Sequence, residues 1–314
     1  VERYMKDGLL TRWPDTPYRD WFLGDWLAPH GVDTGSEASV SLVNNCFVSD
    51  CYARMAQMAR LTGHDDEAAA FEARREALNR TIHARFYDPA TQTYATGSQL
   101  DMTYPMLVGA TPDSLRAGVE QRLFRLTHDV MKDHIGGGLV GVPVITRWAV
   151  RSHNPEFIYR MLKQRGYPGY LHMIDHGATA TWEYWSGERS RVHNCYNGIG
   201  TWFYQALGGL RTDSSHPGYE HVFIDPQIPE GVEWCRIGKE TPYGRIDLGW
   251  EIADGELRID VTLPPGVTAT AITPAGACRG RLDGRRLAPQ SPGTKIASGR
   301  HRLVFGLAPQ NERQ

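Results

Sequence analysis

The sequence lacks the features that mark several large classes of protein. No hydrophobic run in its 314 residues approaches the 18 that a transmembrane helix needs, so membrane insertion is not expected. Lys and Arg number 34 against 36 Asp and Glu, and no basic cluster alternates with aromatic residues, so the usual electrostatic basis for nucleic-acid binding is missing. The five cysteines form no CxxC pair, which argues against a zinc ribbon or a dense disulfide framework and favours buried thiols: Cys46, Cys51, Cys195, Cys235 and Cys278.

No metal or other cofactor is expected either. We do not expect a helical HxxxH or HExxH arrangement among His30, His134, His153, His172 and His176, so no catalytic zinc is predicted. The sequence shows no signal peptide, and it begins at Val1 without a Met, as though cut from a longer chain. The compartment therefore stays open. A soluble protein that is periplasmic or secreted in its full-length form is one expectation.

The sequence does contain a clear change of pattern. Residues 1–212 have helical periodicity and residues 213–314 have strand periodicity, which predicts a mainly α protein with a separate β domain. A polar run with Pro and Gly at 212–218 suits the linker between them.

Four helices have distinct signals in the first region. Thr34-Gly35-Ser36-Glu37 resembles a capping box with Thr34 as N-cap, and Gly63 ends the helix that follows. A second helix fits 66–85, Thr111 and Pro112 open a third, and Asn154-Pro155 opens a fourth. About eight helices are expected up to residue 210, joined by loops rich in aromatic residues, which suggests function at one end of a helical barrel. The first helix has an apolar stripe at three- and four-residue steps: Val40, Val43, Phe47, Cys51, Met55 and Met58.

The second region predicts an antiparallel β-sandwich. Residues 221–225, 245–252 and 256–263 alternate polar and apolar side chains, and Ala253-Asp254-Gly255 supplies a hairpin turn between the last two. Further strands are expected near 267–273 and 301–307.

The run from Gly177 to Ser186 is the most informative stretch for function. It places one carboxylate, Glu183, among the rings of Trp182, Tyr184 and Trp185, with His193 ten residues later. Aromatic rings stack on sugars and a carboxylate performs acid–base chemistry, so this pattern favours a carbohydrate-active site. The alternative is an ordinary carboxylate at a helix terminus.

Several motifs along the chain follow one order. They are Gly24-Asp25-Trp26-Leu27, Phe86-Tyr87-Asp88-Pro89, Gly138-Leu139-Val140-Gly141, Ala178-Thr179-Ala180-Thr181-Trp182-Glu183-Tyr184-Trp185, and the stretch from His193 to Leu210. In that order and spacing the chain resembles the family-78 glycoside hydrolases, the α-L-rhamnosidases, over nearly all of residues 20–300. The resemblance implies part of an (α/α)6 barrel over 1–212, incomplete at its N-terminus, followed by a C-terminal antiparallel β-sandwich over 213–314.

The resemblance also implies roles for individual residues. Glu183 occupies the position of the general base of an inverting glycosidase, and Trp26 matches a tryptophan that lines the sugar pocket. His193 matches a sugar-contacting histidine, although the motif around it is altered to Ser-Arg-Val-His; a histidine that caps the following helix is the alternative. Asp25 either binds a sugar hydroxyl or caps a turn. Trp182 and Tyr184 are expected to surround the base and to contact the substrate.

One part of the family pattern is missing. The family's general acid lies in an earlier acidic segment, which this sequence does not contain. The resemblance therefore implies a rhamnose-containing oligosaccharide or glycoside as substrate and an N-terminal portion of the same enzyme as partner. By composition alone, four local carboxylates could replace the acid: Asp20, Asp25, Asp175 and Glu188.

Three functions remain open at this stage. The first is the C-terminal part of an inverting α-L-rhamnosidase, and the second is a sugar-binding or scaffolding module without catalysis. The third is another glycosidase on the same barrel, such as one acting on an unsaturated uronic acid, for which Arg189 or Arg191 near Glu183 would be the sign.

Overall fold

The structure is a computed structural model that describes residues 1–13, 21–288 and 293–307. It divides into two compact units. Unit 1 comprises Val1–Ser152 and Phe157–Ile199, and unit 2 comprises His153–Glu156 and Gly200–Gln314. Within the described ranges, no helix is both long and apolar enough to cross a membrane.

Unit 1 is helical, and its helices together with the short helix Gly200–Trp202 at the start of unit 2 agree with the expectation of about eight before residue 210. A 3-10 turn follows Val1, and short π-helical turns at Leu126–Val130 and Phe203–Leu207 extend two of the helices. The α-helices are α1 Glu37–Leu61, α2 Asp65–Phe86, α3 Gln99–Val108, α4 Asp113–Arg125, α5 Gly141–Arg151, α6 Pro155–Leu162, α7 Tyr170–Asp175 and α8 Gly200–Trp202.

The helix starts differ from the sequence expectation by one or two residues. Ser36, not Thr34, is the N-cap of α1, and its hydroxyl accepts a hydrogen bond from the Ser39 N–H. Asp33 accepts hydrogen bonds from the N–H groups of the two residues before α1, so Asp33 completes the turn that the capping box was expected to form. At α4 the N-cap is Pro112 rather than Thr111.

Helices α3 and α5 were not predicted from sequence. All ten residues of α3 are buried, so it has no polar face and no helical periodicity to detect. Pro105 lies inside it, and Gly109 ends it in the left-handed conformation at φ 80°. Helix α5 is also largely buried and carries Pro143 in its first turn.

The apolar stripe of α1 divides into two parts. Val40 and Val43 are buried as expected, but Phe47, Cys51, Met55 and Met58 are exposed; we call these four the α1 stripe. The buried face of that stretch instead includes small and polar residues such as Ser49. The periodicity correctly predicted a helix, whereas the apolar stripe does not mark the face that is buried within this chain.

Unit 2 is built on two sheets. One has four strands in the order β13-β10-β6-β5 and the other has six in the order β12-β11-β14-β9-β8-β7. Two two-stranded ladders, β1–β2 and β3–β4, lie in unit 1. The strands are β1 Met5–Lys6, β2 Leu9–Leu10, β3 Tyr87–Asp88, β4 Thr93–Tyr94, β5 Leu210–Thr212, β6 His221–Ile224, β7 Trp234–Thr241, β8 Gly244–Ala253, β9 Glu256–Leu263, β10 Thr268–Ile272, β11 Ala277–Leu282, β12 Arg285–Arg286, β13 Gly293–Ile296 and β14 Gly299–Leu307.

The strand pattern predicted from sequence accounts for five of the ten described strands of this unit, β6, β8, β9, β10 and β14. The β8–β9 hairpin turns at Asp254 and Gly255, whose φ values of 55° and 73° suit a tight two-residue turn. The six-stranded sheet is antiparallel throughout, but β10 pairs with β6 in parallel in the other sheet, which is one departure from the expected antiparallel pairing. Inward-facing side chains of both sheets form one apolar core, which includes Val222, Trp250, Ile259 and Phe305.

Candidate active site

Glu183 and His193 lie on the two arms of one loop, residues 181–193. The Glu183 N–H donates to the Ser190 carbonyl at 2.8 Å, and the His193 N–H donates to the Thr181 carbonyl at 2.8 Å. The chain reverses between them through Gly187 at φ 80° and Arg189 at φ 54°. Two backbone hydrogen bonds therefore hold the predicted base and the predicted sugar-contacting histidine in one loop of unit 1.

The Glu183 carboxylate is anchored but not saturated. Its side chain is about one-fifth exposed. Oε2 accepts a hydrogen bond from the Ser190 N–H at 3.3 Å, and Oε1 lies 4.0 Å from Nη1 of Arg189. A carboxylate has about four lone-pair positions, so this one keeps acceptor capacity for a water or a hydroxyl group.

The three rings beside Glu183 have different environments. Trp182 and Trp185 are buried at 1% exposure, whereas Tyr184 is half-buried. The guanidinium of Arg191 lies 5.0 Å from the centre of the Trp182 ring, and Gly187 packs so closely on the same ring that a Cβ there would come within 2.8 Å. Trp182 thus packs inside the loop, and Tyr184 is the ring of the three that remains accessible.

Trp185 and Tyr196 connect Glu183 to the rest of unit 1. The indole of Trp185 donates to the Gly137 carbonyl at 2.9 Å and stacks on the Tyr196 ring with centroids 3.9 Å apart. The Tyr196 hydroxyl lies 2.8 Å from the Leu27 carbonyl and 3.1 Å from the Glu183 carbonyl. One buried tyrosine therefore joins the backbone next to Trp26 to the backbone of Glu183.

Sequence reasoning missed Tyr196 and its neighbour Tyr170. The Tyr170 hydroxyl donates to the Tyr196 carbonyl at 2.8 Å, and its ring meets Trp185 edge-on at 5.2 Å. Tyr196 stands three residues after His193 within the stretch that carried the resemblance, so its position was a signal. No local pattern marks Tyr170.

Asp25 binds backbone groups of a distant segment. Its carboxylate accepts hydrogen bonds from the N–H groups of Trp26 at 2.9 Å, Gly138 at 2.6 Å, Val140 at 2.8 Å and Gly141 at 3.0 Å. Burial raises the pKa of this carboxyl, and the four backbone donors act against that rise. These contacts favour the turn-capping role among the two that the sequence left open, because Asp25 joins its own loop to the start of α5.

Trp26 is held at the surface by the same connection. Its side chain is 47% exposed, while its carbonyl accepts a hydrogen bond from the Leu139 N–H at 2.8 Å. A Cβ at Gly138 would lie 2.1 Å from that carbonyl, so the close approach of the two segments requires glycine there. An exposed indole on a fixed backbone is a surface on which a sugar ring can stack.

His193 is half-buried, and its Nδ1 accepts a hydrogen bond from the Cys195 N–H at 3.2 Å. The acceptor contact lies in the turn before the 3-10 turn at Asn197–Ile199, so it does not cap that helix. It also assigns the proton of the neutral ring to Nε2, which leaves that nitrogen as a donor.

The pKa of the Cys195 thiol depends on the charges around it. Burial raises the pKa of the thiol, and the negative charges of Glu183 and Asp25 raise it further. Cys195 is therefore within electrostatic reach of both carboxylates, and its raised pKa argues against a thiolate nucleophile at this position.

The local replacements for the general acid have other partners. Asp175 forms an ion pair with Arg165 at 2.6 Å, and Asp25 is occupied by four backbone donors. Glu188 is exposed on the same loop as Glu183. Asp20 lies outside the described residues. The contacts of Asp175 and Asp25 are therefore with groups other than Glu183.

Two histidines correct the expectation about helical pairs. His172 and His176 are four residues apart at the end of α7, and their ring centroids are 4.2 Å apart, so an HxxxH pair is present. Nδ1 of His176 bonds to the His172 carbonyl. Over the residues that the structure describes, no group of three or more His, Cys, Asp or Glu side chains is arranged to hold a metal ion.

A helical unit that carries a carboxylate and one accessible aromatic ring on a single loop, followed by a β-sheet unit, is compatible with a glycoside hydrolase. Residues 1–207 match the sequence model of the bacterial alpha-L-rhamnosidase six-hairpin glycosidase domain. Residues 209–285 match the model of the bacterial alpha-L-rhamnosidase C-terminal domain. The chain belongs to this family of glycoside hydrolases.

Individual relatives agree with this assignment. An alpha-L-rhamnosidase of Alteromonas sp. (strain LOR) is 25% identical over 270 residues, which is 80% of this chain and 29% of the relative. An alpha-L-rhamnosidase of Streptomyces avermitilis is 25% identical over 289 residues, which is 87% of this chain and 26% of the relative. This chain therefore spans less than a third of the length of these two relatives.

Solved structures support the fold. The crystal structure of Streptomyces avermitilis alpha-L-rhamnosidase complexed with L-rhamnose superposes with a TM-score of 0.81 at 22% identity, covering 97% of this chain and 29% of that one. The alpha-L-rhamnosidase from Dictyoglumus thermophilum gives a TM-score of 0.82 at 17% identity, covering 96% of this chain and 34% of that one.

Proposed function

We propose that this chain is the C-terminal portion of an inverting α-L-rhamnosidase in which Glu183 is the general base. The observation that carries the proposal is the state of the Glu183 carboxylate, which is fixed by the Ser190 N–H yet partly exposed. In an inverting glycosidase the base activates a water on one side of the sugar, and an acid protonates the leaving oxygen on the other. The two carboxyl groups of such enzymes are about 6.5–9.5 Å apart.

Trp26 and His193 supply substrate contacts in this proposal. The exposed indole of Trp26 offers an apolar face to the ring and methyl group of a 6-deoxy sugar. The Nε2–H of His193 donates to a sugar hydroxyl. Tyr196 bonds the backbone on both sides of the site, so the Trp26 segment and the Glu183 loop keep a fixed geometry.

The general acid comes from an N-terminal portion of the same enzyme. Support comes from the relatives, of which this chain spans 26–29%. The α1 stripe provides a second argument: Phe47, Cys51, Met55 and Met58 leave an apolar strip of one long helix exposed. Contiguous exposed apolar surface of this kind marks a contact with another segment. We infer that helices preceding this chain cover the stripe.

Labelling of Cys51 tests that contact. Cys51 is an exposed thiol in the middle of the stripe, so a maleimide should modify it readily in this chain alone. In the enzyme that carries the residues preceding Val1, we expect its labelling to slow toward that of the buried thiol Cys46. Peptide mapping by mass spectrometry measures both rates without mutation. Cys235 in unit 2 is the internal control, and equal Cys51 labelling in both proteins would contradict the contact.

An enzyme acting on an unsaturated uronic acid is the second candidate, because Arg189 lies 4.0 Å from Glu183. An arginine beside the base is the sign that this alternative requires. The guanidinium of Arg189 also lies 5.6 Å from the centre of the Tyr184 ring and is exposed, so its contacts are explained within its own loop.

Substrate comparison separates the two candidates. Because an exposed ion pair contributes little, Arg189→Gln should change kcat/KM for an aryl α-L-rhamnoside by less than about fivefold. An unsaturated uronide should not be hydrolysed by the same enzyme. Release of the aryl group and of the unsaturated sugar can be followed by absorbance. Hydrolysis of the uronide that Arg189→Gln abolishes would overturn the rhamnosidase assignment in favour of the second candidate.

A catalytically inactive sugar-binding module remains the third possibility and makes a different prediction. It requires that L-rhamnose binds, that Trp26→Ala weakens the binding, and that the enzyme with its N-terminal portion shows no turnover. Turnover that depends on Glu183 excludes it.

A further inference from the structure

The outer face of the six-stranded sheet in unit 2 carries an open groove. Side chains of β7, β8, β9 and β14 line it, and its volume is about 890 Å³. Most of its lining residues are outward-facing positions of these strands, such as Arg236, Gly249 and Asp260, and the alternate positions, such as Leu248 and Trp250, belong to the apolar core. Every residue that lines it belongs to unit 2.

Trp234 stands at one end of this groove. It is the first residue of β7 and is 65% exposed, whereas the other two tryptophans of unit 2, Trp202 and Trp250, are buried. A polar residue at an outward strand position would avoid placing so large an apolar surface in water. An indole that lies open beside polar groups is the arrangement by which proteins bind sugar rings, whose faces are apolar and whose edges carry hydroxyl groups.

A flat polar row crosses the sheet beside this indole. The strand register places Arg236, Gly249, Asp260 and Arg302 side by side on four neighbouring strands. Gly249 has no side chain, so the stem of Arg236 lies over it, with Cγ 3.3 Å from where a Cβ would be. Arg302 and Asp260 hold each other by two hydrogen bonds of 2.7 Å. The row therefore presents fixed donors and acceptors at the level of the sheet.

The charge of the groove indicates the class of ligand. Four arginines and four carboxylates line it, so its formal net charge is zero. A phosphate, sulfate or uronate ligand would favour an excess of cations, and a basic ligand an excess of carboxylates. Interspersed donors and acceptors next to an aromatic face instead match the hydroxyl groups of a neutral sugar, each of which both donates and accepts.

We propose that the groove around Trp234 is a binding site for a neutral oligosaccharide, separate from the Glu183 loop. Trp234 stacks on one sugar ring, and the Arg236–Asp260–Arg302 row bonds the hydroxyls of the next. A second carbohydrate site on the same polypeptide raises the local concentration of a polymeric substrate. Sugar binding in this groove does not require catalysis. The proposal can therefore be tested independently of the function proposed for Glu183.

Binding measurements on the 314-residue chain test this site. The probes are a rhamnose hexasaccharide, a glucose hexasaccharide and a hexagalacturonate, titrated by calorimetry and tryptophan fluorescence into Glu183→Gln, which removes any hydrolysis. We expect at least one neutral hexasaccharide to bind more tightly than the galacturonate, and Trp234→Ala to weaken that binding at least about tenfold, in line with loss of a stacking anchor.

One matched variant serves as the control. Tyr243→Ala removes another exposed ring, next to β8 but outside the groove, and should leave the tighter binding unchanged. The proposal is overturned if no neutral probe binds, if Trp234→Ala binds as well as its parent, or if the galacturonate binds best.

Discussion

Glu183→Gln should lower kcat for an aryl α-L-rhamnoside about 10²- to 10⁴-fold in the enzyme that carries the residues preceding Val1. Glutamine preserves the size of the side chain and can still accept a hydrogen bond from the Ser190 N–H. It cannot take a proton from the attacking water, so the loss falls on the chemical step. KM should change little, because the substrate contacts assigned to Trp26 and His193 remain.

Glu188→Gln is the matched control for this substitution. Glu188 is an exposed carboxylate on the same loop, so its replacement removes the same charge five residues away. We expect its kcat to stay close to that of the parent enzyme. Equal losses in both variants would show a general effect of charge on the loop, and an unchanged kcat in Glu183→Gln would remove Glu183 from the mechanism.

Asp25→Ala should destabilise unit 1 by about 3–5 kcal/mol, because it leaves several backbone N–H groups buried without their charged acceptor. The start of α5 and the Trp26 segment lose their connection. Hydrogen exchange at Gly138, Val140 and Gly141 should therefore rise together with the loss of stability, and urea unfolding measures the free energy.

The contribution of Asp25 to the stability of the folded state also depends on pH. Burial raises the pKa of this carboxyl in the folded state, so the folded state binds its proton more tightly than the unfolded state. The parent protein then loses stability as pH rises from the unfolded value, about 3.9, to the raised folded value. Asp25→Ala has no such pH dependence because it lacks the carboxyl group. The difference in free energy of unfolding between the parent and Asp25→Ala should therefore be larger below this pH range than above it.

Asp33→Ala is the comparison for Asp25. Asp33 also accepts two backbone hydrogen bonds, at Gly35 and Ser36, but it is exposed. Water can replace it, so we expect a loss of less than about 1 kcal/mol. A similar loss in both variants would contradict the account of Asp25 as a buried connector.

The sequence predicted elements whose pattern is local. Helix α2 and strands β8 and β9 have an unbroken periodicity, and their observed bounds differ from the expected ones by one or two residues at most. Helix α3 was not predicted because it is buried on every side. Strand β7 was not predicted because its outward positions include Trp234 and Gly238, which break the alternation of polar and apolar residues. Burial of a whole element removes the polar–apolar contrast on which such predictions depend.

Only part of the candidate site could be predicted from the sequence. Glu183 and His193 are close in sequence, so their common loop could be expected. The four N–H groups that bind Asp25 come from residues 26 and 138–141, and only the fold brings the second segment to the first. Tyr196 likewise joins distant segments, because its hydroxyl donates to the carbonyl of Leu27, 169 residues earlier in the sequence.

Trp182 illustrates a limit of motif-based reasoning. It adjoins Glu183 in sequence and was expected to contact substrate, yet its ring is buried under Gly187 and Arg191. Tyr184 is half-buried beside Arg189 and is the better candidate for a contact with sugar.

Hydrolysis of an aryl α-L-rhamnoside should be measured for this 314-residue chain and for the enzyme that also carries the preceding residues. We expect turnover by the longer enzyme and none by the chain alone, because Glu183 supplies the base and the N-terminal portion supplies the acid. Comparable turnover by the chain alone, undiminished in Glu183→Gln, would contradict it.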